Sequence, residues 1–189
     1  MKIETTKLDG VLLLTPDRFG DSRGFFSESW NKRRMAEHGI DLEFVQDNHS
    51  LSSKVGTIRG LHYQTPPHAQ AKLVRCGRGA LFDVALDIRV GSPTFGQWVG
   101  AELTAENGRQ LLVPVGFAHG FVTRAPDTEI VYKCTDYFAP DCDRAIAHND
   151  PVLGIDWGVS IASFTLSDKD ASAPLLADIE PVFAWDGRQ

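Results

Sequence analysis

From Glu43 to Thr135 the chain reads as one strand after another, a pattern that leaves little room for a helical fold. Phe44 to Ser50, Ile58 to Gln64, the run opening at Lys72, Ala80 to Ile88, Trp98 to Thr104, Gln110 to Val113, Phe117 to Arg124 and Thr128 to Thr135 all read as strands. Between them stand Gly77-Arg78-Gly79, Gly91-Ser92-Pro93-Thr94 and Asn107-Gly108, the last a strong hairpin signal. Short strands with turn signals every ~8–12 residues predict an antiparallel sandwich or barrel. Within Ala80–Ile88, alternation sends Phe82, Val84, Leu86 and Ile88 to the core and Leu81, Asp83, Ala85 and Asp87 the other way.

Upstream, Val11 to Leu14 is a short apolar strand, and Asp17 to Trp30 opens as a turn. It becomes a strand with Phe26, Glu28 and Trp30 on one face. Asn31 to His38 is the one convincing helix, with Asn31 as its N-cap and Gly39 past its end. Ser167-Asp168-Lys169-Asp170 reads as a second, small helix start, and the last fifteen residues as a loosely packed tail. Without an internal repeat or linker, residues 1–189 are expected to form a single domain.

The stretch from Gly56 to Lys72 concentrates the chemistry. Strict alternation puts Ile58, Gly60, His62 and Gln64 on one face and Arg59, Leu61 and Tyr63 on the other. Pro66-Pro67 ends the ladder, and a second strand begins with Lys72. The result reads as a hairpin-like unit with an imidazole on one arm and an ammonium on the other. Such a pair can remove a proton and quiet the negative charge that follows. Taken singly, His62 and Lys72 also fit a polar strand end and a solvated lysine.

Composition narrows the function classes. The formal charge of -6 argues against nucleic acid as a bulk partner, though local Arg and Lys can still hold a phosphate. No window approaches the ~20 apolar residues of a membrane span, and the N-terminus lacks a secretory h-region, so the cytoplasm is expected. Three cysteines, Cys76, Cys134 and Cys142, form no C-x-x-C pair, against both a disulfide framework and a zinc cluster.

Pro114-Val-Gly116-Phe-Ala-His119 is similar to the second box of cupin barrels, whose turn aims a histidine into the barrel. Metal-dependent cupins carry His-x-His in the partner box. Here that place reads His62-Tyr63-Gln64, which supports the barrel and argues against a catalytic metal. No G-x-G-x-x-G or Walker loop is present, and no cofactor is expected.

Taken together and in order, the motifs resemble the dTDP-4-dehydrorhamnose 3,5-epimerase family from about Leu8 to about Pro174. They are Asp21-x-Arg23-Gly24-x-Phe26-x-Glu28, Gln46-Asp-Asn48-x-Ser50, Arg59-Gly-Leu-His62-Tyr-Gln and Lys72-Leu-Val. Further along come Asp83-Val-Ala-Leu-Asp-Ile-Arg, His119-Gly-Phe, Tyr132-Lys-Cys-Thr-x-Tyr137, Asn149-Asp-Pro and Ser167-x-Lys-Asp170. The resemblance implies a cupin-like jelly-roll barrel and an isomerase that uses no cofactor. Its substrate would be a dTDP-linked 4-keto-6-deoxyhexose, epimerised at C3 and C5. By the family's pattern His62 is the general base, Asp170 its partner, Lys72 the enolate stabiliser and Tyr132 the proton donor. His119 with Asp83 is a supporting pair. Phe19, Arg23, Phe26, Glu28, Gln46, Asn48, Arg59, Lys72, His119, Tyr137 and Asp143 are expected to bind substrate. The family also implies a homodimer with an exchanged N-terminal strand, so that Phe19, Arg23 and Glu28 serve the partner's site.

The family's spacing favours Asp170 over Asp168 as the partner of His62, a choice the sequence itself leaves open, and Arg59 needs a bulge or a strand end to join His62. Three positions depart from the family's usual residues: Asp143 for Glu, Ala145 for Gly, and Trp157-Gly158 for Trp-Pro. Three rivals remain. They are a C3-only or C5-only epimerase of an antibiotic deoxysugar pathway, a metal-dependent cupin enzyme, and a non-catalytic sugar-nucleotide-binding barrel.

Overall fold

The computed structural model describes residues 1–160 and 164–187. Two antiparallel sheets face each other as a cupin-like jelly roll. The six-stranded sheet runs in the order β1 (Lys2–Thr5), β2 (Leu12–Thr15), β10 (Gln110–Val113), β7 (Lys72–Arg78), β12 (Thr128–Cys134) and β5 (Gln46–Ser52). The five-stranded sheet runs β13 (Asp143–Ala145), β6 (Ile58–Gln64), β11 (Phe117–Thr123), β8 (Ala80–Asp87) and β9 (Trp98–Thr104). A separate hairpin joins β3 (Phe19–Asp21) to β4 (Gly24–Phe26).

The interior between the sheets is filled from both. Val74, Cys76, Leu111, Val113 and Ile130 come from one side, and Leu81, Ala85, Val99, Leu103, Phe117 and Phe121 from the other. Each sheet also buries its outer face. Helix α1 (Lys32–Ala36) covers the six-stranded sheet through Met35, with Ile40 beside it. Its Asn31 cap accepts from the Arg34 N–H at 3.2 Å.

The five-stranded sheet is covered by the C-terminal segment, which packs Leu153, Trp157, Leu176 and Phe183 against Ile58, Leu61, Val84 and Leu86. The expected loose tail is therefore a structural layer as far as residue 187; its last two residues lie outside those described. Val90 binds it on both edges, donating to the Phe183 carbonyl and accepting from the Trp185 N–H, each at 2.9 Å. Its apolar residues were irregularly spaced, and only a partner surface gives them a common face.

Several expectations change for one reason: consecutive strands cross between sheets. β6 and β7 are not the arms of a hairpin, because the Pro66-Pro67 loop carries the chain from one sheet to the other. Asn107-Gly108 likewise connects β9 to β10 in opposite sheets rather than closing a hairpin. There the Asn107 side chain accepts from the Thr104 and Arg109 N–H groups and donates to the Glu102 carbonyl, stabilising a tight turn without strand pairing. Alternation along β8 holds, but its faces exchange meaning: Leu81, Asp83 and Ala85 point into the barrel, while Phe82, Val84 and Leu86 meet the C-terminal layer. β1 pairs with β2, Ile3 opposite Leu14, and adds an edge strand beyond those expected. The strand read through Glu28 and Trp30 stops at Phe26, and Trp30 turns in to stack edge-on against Phe44 at 4.7 Å.

Candidate active site

Strand β6 contains the irregularity that builds the site. Opposite it on β11, His119 faces His62 and Phe121 faces Arg59, so the single residue Gly120 of β11 is matched by two of β6, Gly60 and Leu61. The extra residue is a bulge at Gly60-Leu61. Gly60 has φ +115, and a Cβ there would lie 2.6 Å from both the Gly120 Cα and the His119 carbonyl oxygen. Only glycine fits that backbone and that gap. The bulge resets the alternation: Ile58, Leu61 and Tyr63 pack into the outer layer, while Arg59 and His62 both line the barrel's open cavity. Arg59 thus meets the condition that strict alternation denied it.

The cavity has a volume of about 480 Å³. His62 meets Asp170 across it, Nε2 to Oδ1 at 2.5 Å. Asp168 makes no such contact, because α2 (Asp168–Ala171) buries only Asp170. Ser167 caps this one-turn helix, accepting from the Asp170 N–H at 3.1 Å and donating to Asp170 Oδ2 at 2.9 Å. Burial works to raise the Asp170 carboxyl. The bonds and charge of His62, the Ser167 hydroxyl and the Gly60 N–H outweigh it and hold Asp170 below the usual carboxylate value. Asp170 is thereby favoured as a carboxylate against the His62 ring.

Lys72 approaches from the opposite sheet, its Nζ 3.4 Å from the His62 carbonyl oxygen. Burial lowers its pKa, resisted by the charges of Cys134, Asp143 and Asp83. Tyr132 pairs with Val74 on β7, two residues from Lys72, and so points to the same interior. Burial raises its phenol above the ordinary value. His119 binds Asp83 behind them, Nε2 to Oδ1 at 2.7 Å. Burial raises the Asp83 carboxyl, against the pull of His119 and Lys72, and its second oxygen has no hydrogen-bond partner.

Other expected binding residues divide into two groups. Gln46 and Asn48 face inward on β5 and bond each other at 3.2 Å, beside Ser50, which lines the cavity. Arg59 reaches the same strand, donating to Ser52 Oγ and the Leu51 carbonyl at 3.3 Å. Phe19, Arg23, Phe26 and Glu28 lie outside the cavity of this chain. Phe19 and Phe26 are 65% and 69% exposed, Arg23 is bound to Asp21, and Glu28 pairs with Arg34. Tyr137 is 64% exposed, and its backbone is held at both ends, the N–H donating to Asp136 Oδ1 and the carbonyl accepting from the Gln64 side chain. Asp143 is engaged by Lys169.

Gln64 spends its amide on backbone, donating to the His68 and Tyr137 carbonyls and accepting from the Ala139 N–H. Among the described residues, no group of three or more His, Cys, Asp or Glu is placed to hold a metal ion. Sequence reasoning missed Thr57, Phe121, Thr165 and Leu166 as cavity residues. Ser50 was legible as the third inward position of the Gln46-x-Asn48-x-Ser50 alternation. Nothing local marked Thr165 or Leu166, which tertiary packing brings over the opening.

A jelly-roll barrel with a half-buried imidazole–carboxylate pair, an interior lysine and an interior tyrosine on one cavity has the make-up of an acid–base enzyme. A family model described as dTDP-4-dehydrorhamnose 3,5-epimerase matches residues 5–178. The dTDP-4-dehydrorhamnose 3,5-epimerase of Salmonella typhimurium is 53% identical over 177 residues, covering 93% of this chain and 96% of its own. That of Sinorhizobium fredii is 49% identical over 185 residues, covering 98% and 94%. The crystal structure of a dTDP-6-deoxy-D-glucose-3,5-epimerase from Legionella pneumophila, in complex with dTDP-4-keto-L-rhamnose, superposes with a TM-score of 0.93. It shares 47% identity over 98% of both chains. The chain belongs to the dTDP-4-dehydrorhamnose 3,5-epimerase family. No helix of the described residues is long and apolar enough to cross a membrane.

Proposed function

We propose that this protein is an isomerase that inverts C3 and C5 of dTDP-4-dehydro-6-deoxy-D-glucose, giving dTDP-4-dehydro-L-rhamnose. The observation that carries the reading is the convergence of the His62–Asp170 dyad, Lys72 and Tyr132 on one cavity. Both carbons are α to the C4 ketone, so each hydrogen leaves as a proton once the enolate is stabilised. With Nε2 held by Asp170, His62 takes the proton at Nδ1 and becomes an imidazolium against a carboxylate. Lys72 meets the charge that develops on the C4 oxygen. Tyr132, kept protonated by burial, returns a proton to the opposite face, and solvent exchange restores both groups.

Arg59, Gln46 and Asn48 are assigned to the nucleotide diphosphate, with His119 and its partner Asp83 behind the sugar. The exposed β3–β4 hairpin, with Phe19, Phe26, Arg23 and Glu28, is assigned to the site of a second copy in a homodimer. Its solvent-facing aromatics support that role. Tyr137 is assigned to stacking on the base. The chain is proposed to act as one catalytic unit in the cytoplasm, a setting consistent with three free cysteines.

Incubation with dTDP-4-keto-6-deoxyglucose in deuterated water, followed by NMR, tests the function. Label and inversion at both C3 and C5 are expected. Label at one carbon makes the protein a mono-epimerase; no label with nucleotide bound overturns the enzyme.

A further inference from the structure

Two residues beyond His62, Gln64 is 4% exposed and divides its amide between two loops. Its Nε2 donates to the His68 carbonyl at 2.6 Å and to the Tyr137 carbonyl at 3.1 Å, and its Oε1 accepts from the Ala139 N–H at 2.9 Å. His68 belongs to the Pro66-Pro67 crossing, whereas Tyr137 and Ala139 belong to the segment that follows β12. Between the two gripped positions stands Phe138, 57% exposed, next to the exposed Tyr137. The amide thus holds backbone on both sides of an exposed aromatic pair.

Further bonds bind the two loops together. Gln70 donates to the Asp136 carbonyl at 2.7 Å, His68 Nδ1 lies 3.2 Å from Asp136 Oδ2, and the Phe138 N–H donates to Gln46 Oε1 at 2.9 Å. Among these side chains Gln64 alone is buried. A buried, satisfied amide holds its neighbours more firmly than an exposed one, whose bonds exchange with water. Gln64 is rooted in β6, which is paired on both edges, with β11 and with β13. It therefore fixes the aromatic segment to the strand that carries Arg59 and His62.

We propose that Gln64 is a positioning residue for nucleotide recognition: it holds the Tyr137-Phe138 pair in place, so that the base stacks on rings already set. The inference rests on the assignment of this loop to the base. Gln64 does not line the cavity, so it acts through the loop. A loop left to wander must be ordered on binding, and that ordering is subtracted from the affinity. The effect is confined to the base end of the ligand, because the diphosphate is met by other residues.

The test compares Gln64→Met, Gln64→Glu and the ring-deleting variant Tyr137→Ala/Phe138→Ala in the full-length protein. The ligands are dTDP and inorganic pyrophosphate, which lacks the base. Gln64→Glu keeps the acceptor for Ala139 and removes both donations at almost unchanged volume. Each Gln64 variant is expected to weaken dTDP about tenfold and pyrophosphate less than about twofold, measured by calorimetry. In turnover, KM should rise about tenfold with kcat within about threefold. Joined to the ring-deleting variant, neither Gln64 change should weaken dTDP by more than a further factor of about two, since both act through the same rings.

A merely structural glutamine would weaken both ligands alike, or add its loss to that of the rings; either result overturns the proposal. A fall in kcat with KM unmoved would place the effect on His62 and overturn it as well. If the ring-deleting variant binds dTDP normally, the assignment of the loop to the base fails, and the proposal with it. If that variant loses affinity while the Gln64 variants do not, the assignment stands and the proposal alone falls. Should Gln64→Met not fold, Gln64→Glu carries the same comparisons. The binding measurements need no turnover, so they decide the point even if the protein labels neither carbon.

Discussion

Arg59 and His62, three positions apart on one strand, line the same cavity because β6 carries one residue more than β11 between His62 and Arg59. In a regular strand this spacing places side chains on opposite faces. Here it puts a guanidinium and an imidazole on one side, while the bulge aims the Gly60 N–H at Asp170. A strand defect thus supplies two site side chains and one of the bonds that hold the dyad.

Gly60→Ala should consequently damage fold and chemistry together. The added methyl meets backbone atoms at 2.6 Å, with φ +115 to be adopted by an L side chain. A loss of about 2–4 kcal/mol is expected by urea denaturation, with epimerisation lost even where the variant still folds. Normal stability would mean that the β6–β11 register can shift without penalty.

His62→Asn should abolish label exchange at both carbons while leaving dTDP affinity, measured by calorimetry, within about twofold. Tyr132→Phe should invert poorly yet still exchange the proton taken by His62, so washout outruns inversion. Equal loss of both would move the acid role to another group.

The alkaline limb of kcat should belong to Lys72. Its folded pKa is lowered, so the ammonium begins to lose its proton below the ordinary lysine value, whereas Tyr132, shifted upward, keeps its own. Activity therefore falls as pH rises towards about 10.5, and Lys72→Arg should flatten that limb at a cost of about tenfold in rate. A limb unmoved by this change would assign it elsewhere.

Asp87 provides a stability test away from the chemistry. It is fully buried and accepts from the Arg89 guanidinium at 2.8 and 3.0 Å, Ser92 at 2.6 Å and Thr94 at 2.7 Å. Burial favours its neutral form, but these donors prevail and depress its pKa. Its stabilisation is therefore complete above the unfolded carboxylate value of about 3.9 and is lost as pH falls through the lower folded value. Asp87→Asn should cost about 3–5 kcal/mol at neutral pH and shrink the acid-side loss, as measured by thermal unfolding from pH 7 to pH 2.

Much of this protein was legible along the chain. Period-two alternation and regularly spaced turns marked a β barrel, and Asn31 and Ser167 announced their helix starts through local capping chemistry. The resemblance to the family's motifs implied a site of His62, Lys72, Tyr132 and Asp170, residues that line one cavity. Local pattern, however, carries no information about which strands become neighbours. It read Pro66-Pro67 and Asn107-Gly108 as hairpins, whereas each carries the chain between sheets. Tertiary pairing alone set Lys72 across the barrel from His62, exchanged the inner and outer faces of β8, and folded the tail over Leu61 and Val84. It also inserted the bulge that turns Arg59 inward. These features depend on contacts between residues far apart in the chain, and their energies come from burial and close approach that no short window of sequence contains.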